Sequence, residues 1–457
     1  MKKFILLIFI ILSNILVIFS QNEFQIRPIA INLDTPWEIL WGPDNNIWFT
    51  ERYGRISKVD PITGKITSLI KIDEVFEDGE RGLMGLVLHP NFAKEPYVYT
   101  VYNTGFDNPS TRIKIVRYTY DGEKLISPYV LMDNIKGWWN HDGARLWITD
   151  DLKLLVTIGD AADISTPQNL NSLNGKILRM NLDGTIPNDN PFPNSYVYSF
   201  GHRNPQGLVV ANGKIYSSEH GPSTDDEINI ILAGRNYGWP EVNGYCNTEK
   251  EKDFCIKNNV VEPIISLTPQ ATLAICGIDF YKHNLIPEWN NSLLVTALKD
   301  QRLVQLKLNE QGDSVLFRKD FFTWEFGRLR DICISPDGKV YIATSNKDGR
   351  GTPKINDDKI IEITPKTTNL KKNDNVTFLI FPNPTNDIIN IILDDLAEEF
   401  ELEIYNHLGQ LKLHNYYNQN YIQINLNEID KIGLEKGIYF LVLKFKDKII
   451  FDKLVLN

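Results

Sequence analysis

His202-Arg203-Asn204-Pro205-Gln206-Gly207 stands shortly before Glu219-His220-Gly221-Pro222-Ser223-Thr224-Asp225-Asp226-Glu227, and the two segments set a permanent cation beside a loop rich in oxygen ligands. Arg203 offers a planar charge that forks onto oxygens. A hard cation takes oxygen ligands, which the carbonyls of the Gly221-Pro222 turn and the carboxylates of Asp225, Asp226 and Glu227 can supply. Either segment alone also fits a surface turn or a solvated acidic loop.

Their pairing is more specific. Both segments, followed by Gly234-Arg235-Asn236-Tyr237-Gly238-Trp239-Pro240, resemble the soluble quinoprotein sugar dehydrogenases, also called glucose/sorbosone or aldose sugar dehydrogenases. The resemblance begins at Pro36-Trp37-Glu38-Ile39-Leu40-Trp41-Gly42-Pro43-Asp44 and continues through Thr50-Glu51-Arg52, Gly82-Leu83-Met84-Gly85-Leu86 and His89-Pro90. It returns at His141, Thr157-Ile158-Gly159-Asp160, Gly175-Lys176-Ile177-Leu178-Arg179, Leu298-Lys299 and Arg328-Leu329-Arg330-Asp331, spanning residues 24–363.

Oxidising a sugar hemiacetal needs a base for the hydroxyl proton and an organic acceptor for the hydride, because no side chain accepts hydride. No glycine-rich nucleotide fingerprint follows a strand, which turns the expectation away from nicotinamide cofactors. The resemblance implies pyrroloquinoline quinone (PQQ), whose carboxylates Lys299, Arg328 and Arg330 would neutralise. It further implies His141 as general base, Asp160 as the acid that orients it, and Arg203 with Asn204 against the quinone oxygens. The carbonyls of Gly221 and Pro222 would hold a catalytic Ca²⁺, and Glu227 with the backbone of Tyr237 matches a second, structural Ca²⁺ position. Three departures bear on the substrate. Asn140 stands where sugar-specific relatives carry Asp, Glu80 stands where they carry Gln, and the sugar-covering loop near Leu267-Thr268-Pro269 is short and lacks its aromatic. These departures point away from glucose itself, toward a broader aldose or another alcohol.

The elements that must position these residues read as strands. A turn of Pro, Asp, Asn or Gly followed by an alternating apolar run recurs six times, at 43–51, 96–102, 152–160, 212–219, 292–297 and 336–343. Six such units, with helical periodicity nearly absent, predict an all-β, six-bladed propeller over 24–363. Loops leaving the inner strands would converge on one face and gather His141, Asp160, Arg203 and Gly221 from four different blades.

The chain carries 457 residues and a net charge of -10, which argues against nucleic acid or an anionic membrane as partner. Residues 1–20 place Lys2 and Lys3 ahead of an apolar run, the pattern of a secretory signal. Export implies an oxidising compartment, in which Cys246 and Cys255 are near enough to pair, while Cys276 and Cys333 lie in apolar stretches and read as buried thiols. Composition changes at 364–375, a linker, and 376–457 alternates as short strands. Its Pro382-Asn383-Pro384-Thr385, Tyr405-Asn406-His407-Leu408-Gly409-Gln410 and Lys436-Gly437-Ile438-Tyr439-Phe440 resemble the β-sandwich sorting domain of the type IX (Por) secretion system. The resemblances together imply a secreted or cell-surface PQQ- and Ca²⁺-dependent aldose dehydrogenase. It would reach the surface through the periplasm and the type IX machinery and pass electrons to an external quinone or cytochrome. A non-catalytic propeller that binds carbohydrate or a protein partner is the alternative. A propeller lactonase is disfavoured by the Gly201-His202-Arg203-Asn204-Pro205 segment.

Overall fold

The structure is a computed structural model that describes residues 24–105, 111–268, 270–366, 378–393, 399–431, 433–446 and 448–457. The signal segment expected at 1–20, and the linker from 367 onward, lie outside the described residues.

Within the compact unit Ile26–Ile363 the strands form six four-stranded antiparallel sheets, the blades of a propeller. Blade 1 runs Pro36–Trp41, Ile47–Glu51, Arg55–Val59 and Ile66–Lys71, and blade 2 runs Leu83–Leu88, Tyr97–Thr104, Arg112–Tyr120 and Leu125–Lys136. Blade 3 comprises Leu146–Ile148, Lys153–Ile158, Lys176–Asn181 and Val197–Phe200; blade 4, Pro205–Ala211, Lys214–Glu219, Glu227–Ile231 and Ile265–Ser266. Blade 5 comprises Ile275–Tyr281, Ser292–Ala297, Arg302–Leu308 and Val315–Phe321. Blade 6 is built from Leu329–Ile334, Val340–Thr344 and Ile360–Pro365, and its outermost strand is Phe24–Ala30 from the other end of the sequence. Arg27 fastens that strand by a two-pronged ion pair to Glu362 at 2.9 and 3.0 Å.

The six repeats visible in the sequence are the second strand of each blade, one removed from the channel. These strands are covered on both faces by neighbouring sheets, and Ile47–Glu51, Ser292–Ala297 and Val340–Thr344 are buried at every position. The first strand of each blade packs against the first strands of its neighbours and lines the channel. Two of those strands and the residue preceding a third carry a buried ion network. Arg145 Nη1 lies 2.6 Å from Glu38 of blade 1 and 2.9 Å from Asp331 of blade 6, and Arg145 Nε donates to the Gln206 carbonyl of blade 4 at 2.9 Å. Asp331 also accepts from the Ile39 backbone N–H at 2.7 Å, so one cluster ties four blades together. Burial pushes Glu38 and Asp331 above the ordinary carboxylate range.

The one α-helix among the described residues, Glu249–Asn258, is opened by a capping box of Thr248 and Glu251. Cys255 within it is disulfide-bonded to Cys246, and Cys276 and Cys333 are buried thiols.

The second compact unit contains Thr364–Asn457. A three-stranded sheet of Phe378–Phe381, Ile388–Leu393 and Tyr421–Asn425 and a four-stranded sheet of Leu411–Tyr417, Phe400–Asn406, Gly437–Phe445 and Lys448–Leu456 enclose one core. Ile389, Ile391, Leu402, Ile404, Ile422, Leu441, Leu443 and Leu454 fill it, each from the inward face of an alternating strand, so the unit is a β-sandwich.

Candidate active site

Each blade sends two loops to one face, the loop after its second strand and the loop that leads into its first. His141 and Asp160 occupy these two positions in blade 3, and Arg203 and Gly221 occupy them in blade 4. The four expected site residues therefore come from two adjacent blades rather than four, because both loop types open on the same face.

His141 has a left-handed backbone, φ 59°, and its carbonyl accepts from the Ala161 N–H at 3.1 Å. Gly159 must be glycine for this approach, since a Cβ there would collide with the His141 carbonyl oxygen. The contact brings Asp160 Oδ1 to 2.9 Å from His141 Nδ1. Asp160 is itself held by the Ala162 N–H at 2.8 Å and by the indole N–H of Trp239, which donates to Oδ2 at 2.9 Å. A buried carboxylate only accepts, so the proton of neutral His141 is on Nδ1 and Nε2 carries the lone pair that can act as a base. Arg203 Nη2, a donor, lies 3.0 Å from Nε2, which agrees with that tautomer. Arg203 is fixed by Nη1 donating to the His220 carbonyl at 2.9 Å, by its backbone N–H donating to Glu219, and by Trp239, whose ring centroid is 5.5 Å from the guanidinium. Burial lowers the Arg203 pKa from its ordinary value.

These groups open into a cavity of about 450 Å³, the size of a small-molecule site. Glu80, Asn140, His141, Arg203, Asn204, Pro222, Lys299, Arg328 and Arg330 all line it, and Asp160 lies directly behind His141. Asn204 Oδ1 accepts from the Gly143 N–H at 3.1 Å, which leaves its amide nitrogen as the end that can donate to a bound group. Gly221, Glu227 and Tyr237 line a separate small pocket with Glu219 and Asp225. Pro222 lines the large cavity and Gly221 the small one, and the Gly221 carbonyl accepts from His220 Nδ1 at 2.6 Å. Asp226 is used structurally, accepting from the Gly221 and Leu273 N–H groups at 2.9 and 2.7 Å.

Six cations line the large cavity (Arg52, Arg203, Lys299, Arg328, Arg330 and Arg350) against two carboxylates, Glu80 and Asp348. Arg52 Nε and Arg330 Nε are buried without a hydrogen-bond partner. A buried guanidinium N–H without an acceptor is costly, and a multi-anionic guest would relieve that cost, so the residues present fit a small polycarboxylate. In the small pocket, burial and the nearby Glu219 push Glu227 up to about 8. Converging carboxylates of that kind fit a hard cation.

The structure adds residues that the sequence reading left without a role. Asp348 accepts from Arg328 Nε at 2.8 Å and lies 3.9 Å from Arg330; burial opposes its ionisation, but the two arginines outweigh burial and hold it below the ordinary carboxylate range. Gln206 accepts from Arg330 Nη1 at 3.1 Å, and Trp239 holds Asp160. Trp239 and Gln206 stand inside the family-like segments 234–240 and 202–207. Asp348 and Arg350 lie in a polar, glycine-rich loop that carries no signal of its own.

Residues 33–355 match the family described as Glucose / Sorbosone dehydrogenase, and residues 379–457 match the secretion system C-terminal sorting domain. Quinoprotein glucose dehydrogenase B of Acinetobacter calcoaceticus is 34% identical over 420 residues, covering 71% of this chain and 86% of the relative. Aldose sugar dehydrogenase YliI of Escherichia coli K12 is 29% identical over 341 residues, covering 71% and 91%. The PQQ-bound aldose sugar dehydrogenase of Streptomyces coelicolor superposes with a TM-score of 0.65 at 32% identity, over 76% of this chain and all of that one.

Proposed function

Because the chain belongs to the glucose/sorbosone dehydrogenase family, an oxidoreductase family, we propose that it oxidises the anomeric C1–OH of an aldose to the lactone with PQQ and Ca²⁺. The electrons would pass to an external acceptor, a quinone or a cytochrome. The observation that carries the reading is the His141 geometry: an imidazole whose proton is held on Nδ1 by Asp160 and whose Nε2 faces a cation-lined cavity.

When bound, PQQ supplies a two-electron acceptor for the hydrogen that leaves C1 with its bonding pair. Lys299, Arg328 and Arg330 would hold its carboxylates, Arg203 and the Asn204 amide would donate to its oxygens, and the carbonyls of Gly221 and Pro222 would hold the Ca²⁺, the former on release from His220. His141 Nε2 takes the hydroxyl proton as the C1 carbonyl forms, and Asp160 stabilises the resulting imidazolium. Arg203 withdraws its Nη2 donor from Nε2 as the substrate hydroxyl takes its place. Glu227 and Tyr237 would hold a second, structural Ca²⁺ in the small pocket.

The test adds PQQ and CaCl2 to purified apo-protein and follows dye reduction across an aldose panel. Activity dependent on both additions supports the proposal, and its absence on every sugar sinks it. In the same titration Arg330→Ala is expected to weaken quinone binding by about 1.5–3 kcal/mol, the range for a hydrogen bond to a charged group. Unchanged affinity would remove Arg330 from the cofactor set.

The C-terminal domain is a sorting domain and directs the protein to the cell surface or beyond. Its core is complete without the propeller, so we expect deletion of 376–457 to leave activity per folded molecule unchanged and to strand the protein in the periplasm of its host. Cell fractionation with activity assays checks this, and loss of specific activity would make the sandwich part of the enzyme.

A further inference from the structure

The cations of the cavity divide into two kinds. Arg328 and Arg330 are deeply buried, with side chains 11% and 5% exposed, and are tied to Asp348 and Gln206. Arg350 is different. Its side chain is 55% exposed, and Nη2 lies 3.0 Å from Glu80 Oε1, whose own side chain is 26% exposed. Both residues line the cavity.

The pair bridges two distant loops. Glu80 lies between blades 1 and 2, where its backbone N–H donates to the Trp139 carbonyl at 2.8 Å. Arg350 lies between the second and third strands of blade 6, where its backbone N–H donates to Asp348 Oδ1 at 3.0 Å. Glu80 also reaches the base, since Oε2 lies 3.5 Å from the His141 backbone nitrogen. The ion pair therefore adjoins the residue that takes the proton, and both of its members line the cavity that the base faces. A carboxylate and a guanidinium in contact offer an acceptor and several fixed donors side by side, a set that adjacent hydroxyls of a sugar ring can satisfy together. Because Glu80 balances the charge of Arg350, the pair suits a neutral diol better than an anion.

Resting on the dehydrogenase reading, we propose that Arg350 is a specificity-determining residue which, with Glu80, clamps the ring hydroxyls adjacent to the carbon being oxidised. Exposed surface pairs contribute little to stability, so removing this one leaves the fold intact and changes recognition. The arrangement also gives Glu80 a partner that the glutamine of sugar-specific relatives would not need.

The experiment uses the full chain reconstituted with PQQ and CaCl2, with glucose, 2-deoxyglucose and glucuronic acid as probes. Arg350→Ala is expected to raise KM for glucose about tenfold to a hundredfold, the equivalent of one or two charge-assisted hydrogen bonds, with kcat within about twofold. Glu80→Gln is expected to raise it too, and the double variant by less than the product of the two single effects. Arg350→Lys keeps the charge without the fork and is expected to recover only part of the loss. On 2-deoxyglucose, wild type and Arg350→Ala are expected to show nearly the same KM. An unchanged KM for glucose in Arg350→Ala overturns the clamp while leaving the dehydrogenase reading standing. So does a wild-type preference for glucuronic acid that Arg350→Ala abolishes, which would assign Arg350 to a carboxylate. No quinone-dependent oxidation by wild type on any of the three sugars or the wider panel overturns the dehydrogenase reading and this proposal with it.

Discussion

His141→Ala is expected to lower kcat at least about a hundredfold, since general-base assistance is worth roughly 10²–10⁴ in rate. Quinone affinity should stay near the wild-type value, because the groups assigned to the carboxylates, Lys299, Arg328 and Arg330, are untouched. The alanine also leaves Asp160 with the Ala162 N–H and the Trp239 indole as partners, so the carboxylate remains satisfied and the loop should keep its place. Steady-state dye reduction, set beside a spectroscopic titration of the quinone, separates the two effects. Wild-type turnover in the variant would take His141 out of the chemistry. A parallel loss of quinone binding would instead make it a scaffold residue.

The second large effect is expected far from catalysis. Arg145→Ala leaves Glu38 and Asp331 buried without their shared cation, and breaking a buried pair in this way costs about 3–5 kcal/mol. The loss should depend on pH in a definite direction. Burial already raises both carboxyls, and removing the arginine raises them further, so the folded variant binds more protons than the unfolded chain. Stability of a state that holds extra protons falls as pH rises through the window between the unfolded and folded pKa values. The deficit of Arg145→Ala relative to wild type should therefore be smallest in mild acid and widen toward neutrality. Urea unfolding at a series of pH values reads this directly. A deficit that does not change with pH would mean that the lost packing of Arg145 against Trp37, 4.4 Å from its ring centroid, matters more than the charges.

The parts of this architecture that were legible in the sequence were those whose own residues carried the pattern. The second strand of each blade is covered on both sides and introduced by a tight turn, so Pro43-Asp44-Asn45-Asn46 and Pro336-Asp337-Gly338-Lys339 announced strands that the structure contains. The first strands were harder, because they line a channel and mix apolar with charged positions, as in Glu38 and Asp331. The two-residue strand Ile265–Ser266 is too short for any periodicity to show. At the site, His141 and Asp160 could be matched by their spacing along a known pattern. Asp348 and Arg350 could not, since Asn346-Lys347-Asp348-Gly349-Arg350-Gly351 has the composition of a solvated loop, and only the fold turns it toward the cavity. The sequence also suggested four blades for His141, Asp160, Arg203 and Gly221 where the structure uses two, because the alternation of two loop types on one face is a property of the closed ring.

The strand Phe24–Ala30, fastened to blade 6 through Arg27 and Glu362, also sets an order of events for folding. The contact joins residues 335 positions apart, so the ring closes only after nearly the whole propeller has emerged. Until then the first strand has no partner, and the sheet it will complete does not exist. A chain that stops before residue 360 is consequently not a smaller propeller. Without Ile360–Pro365, the strands Phe24–Ala30 and Val340–Thr344 each lose a partner and expose an edge, the kind of surface that recruits other chains into aggregates.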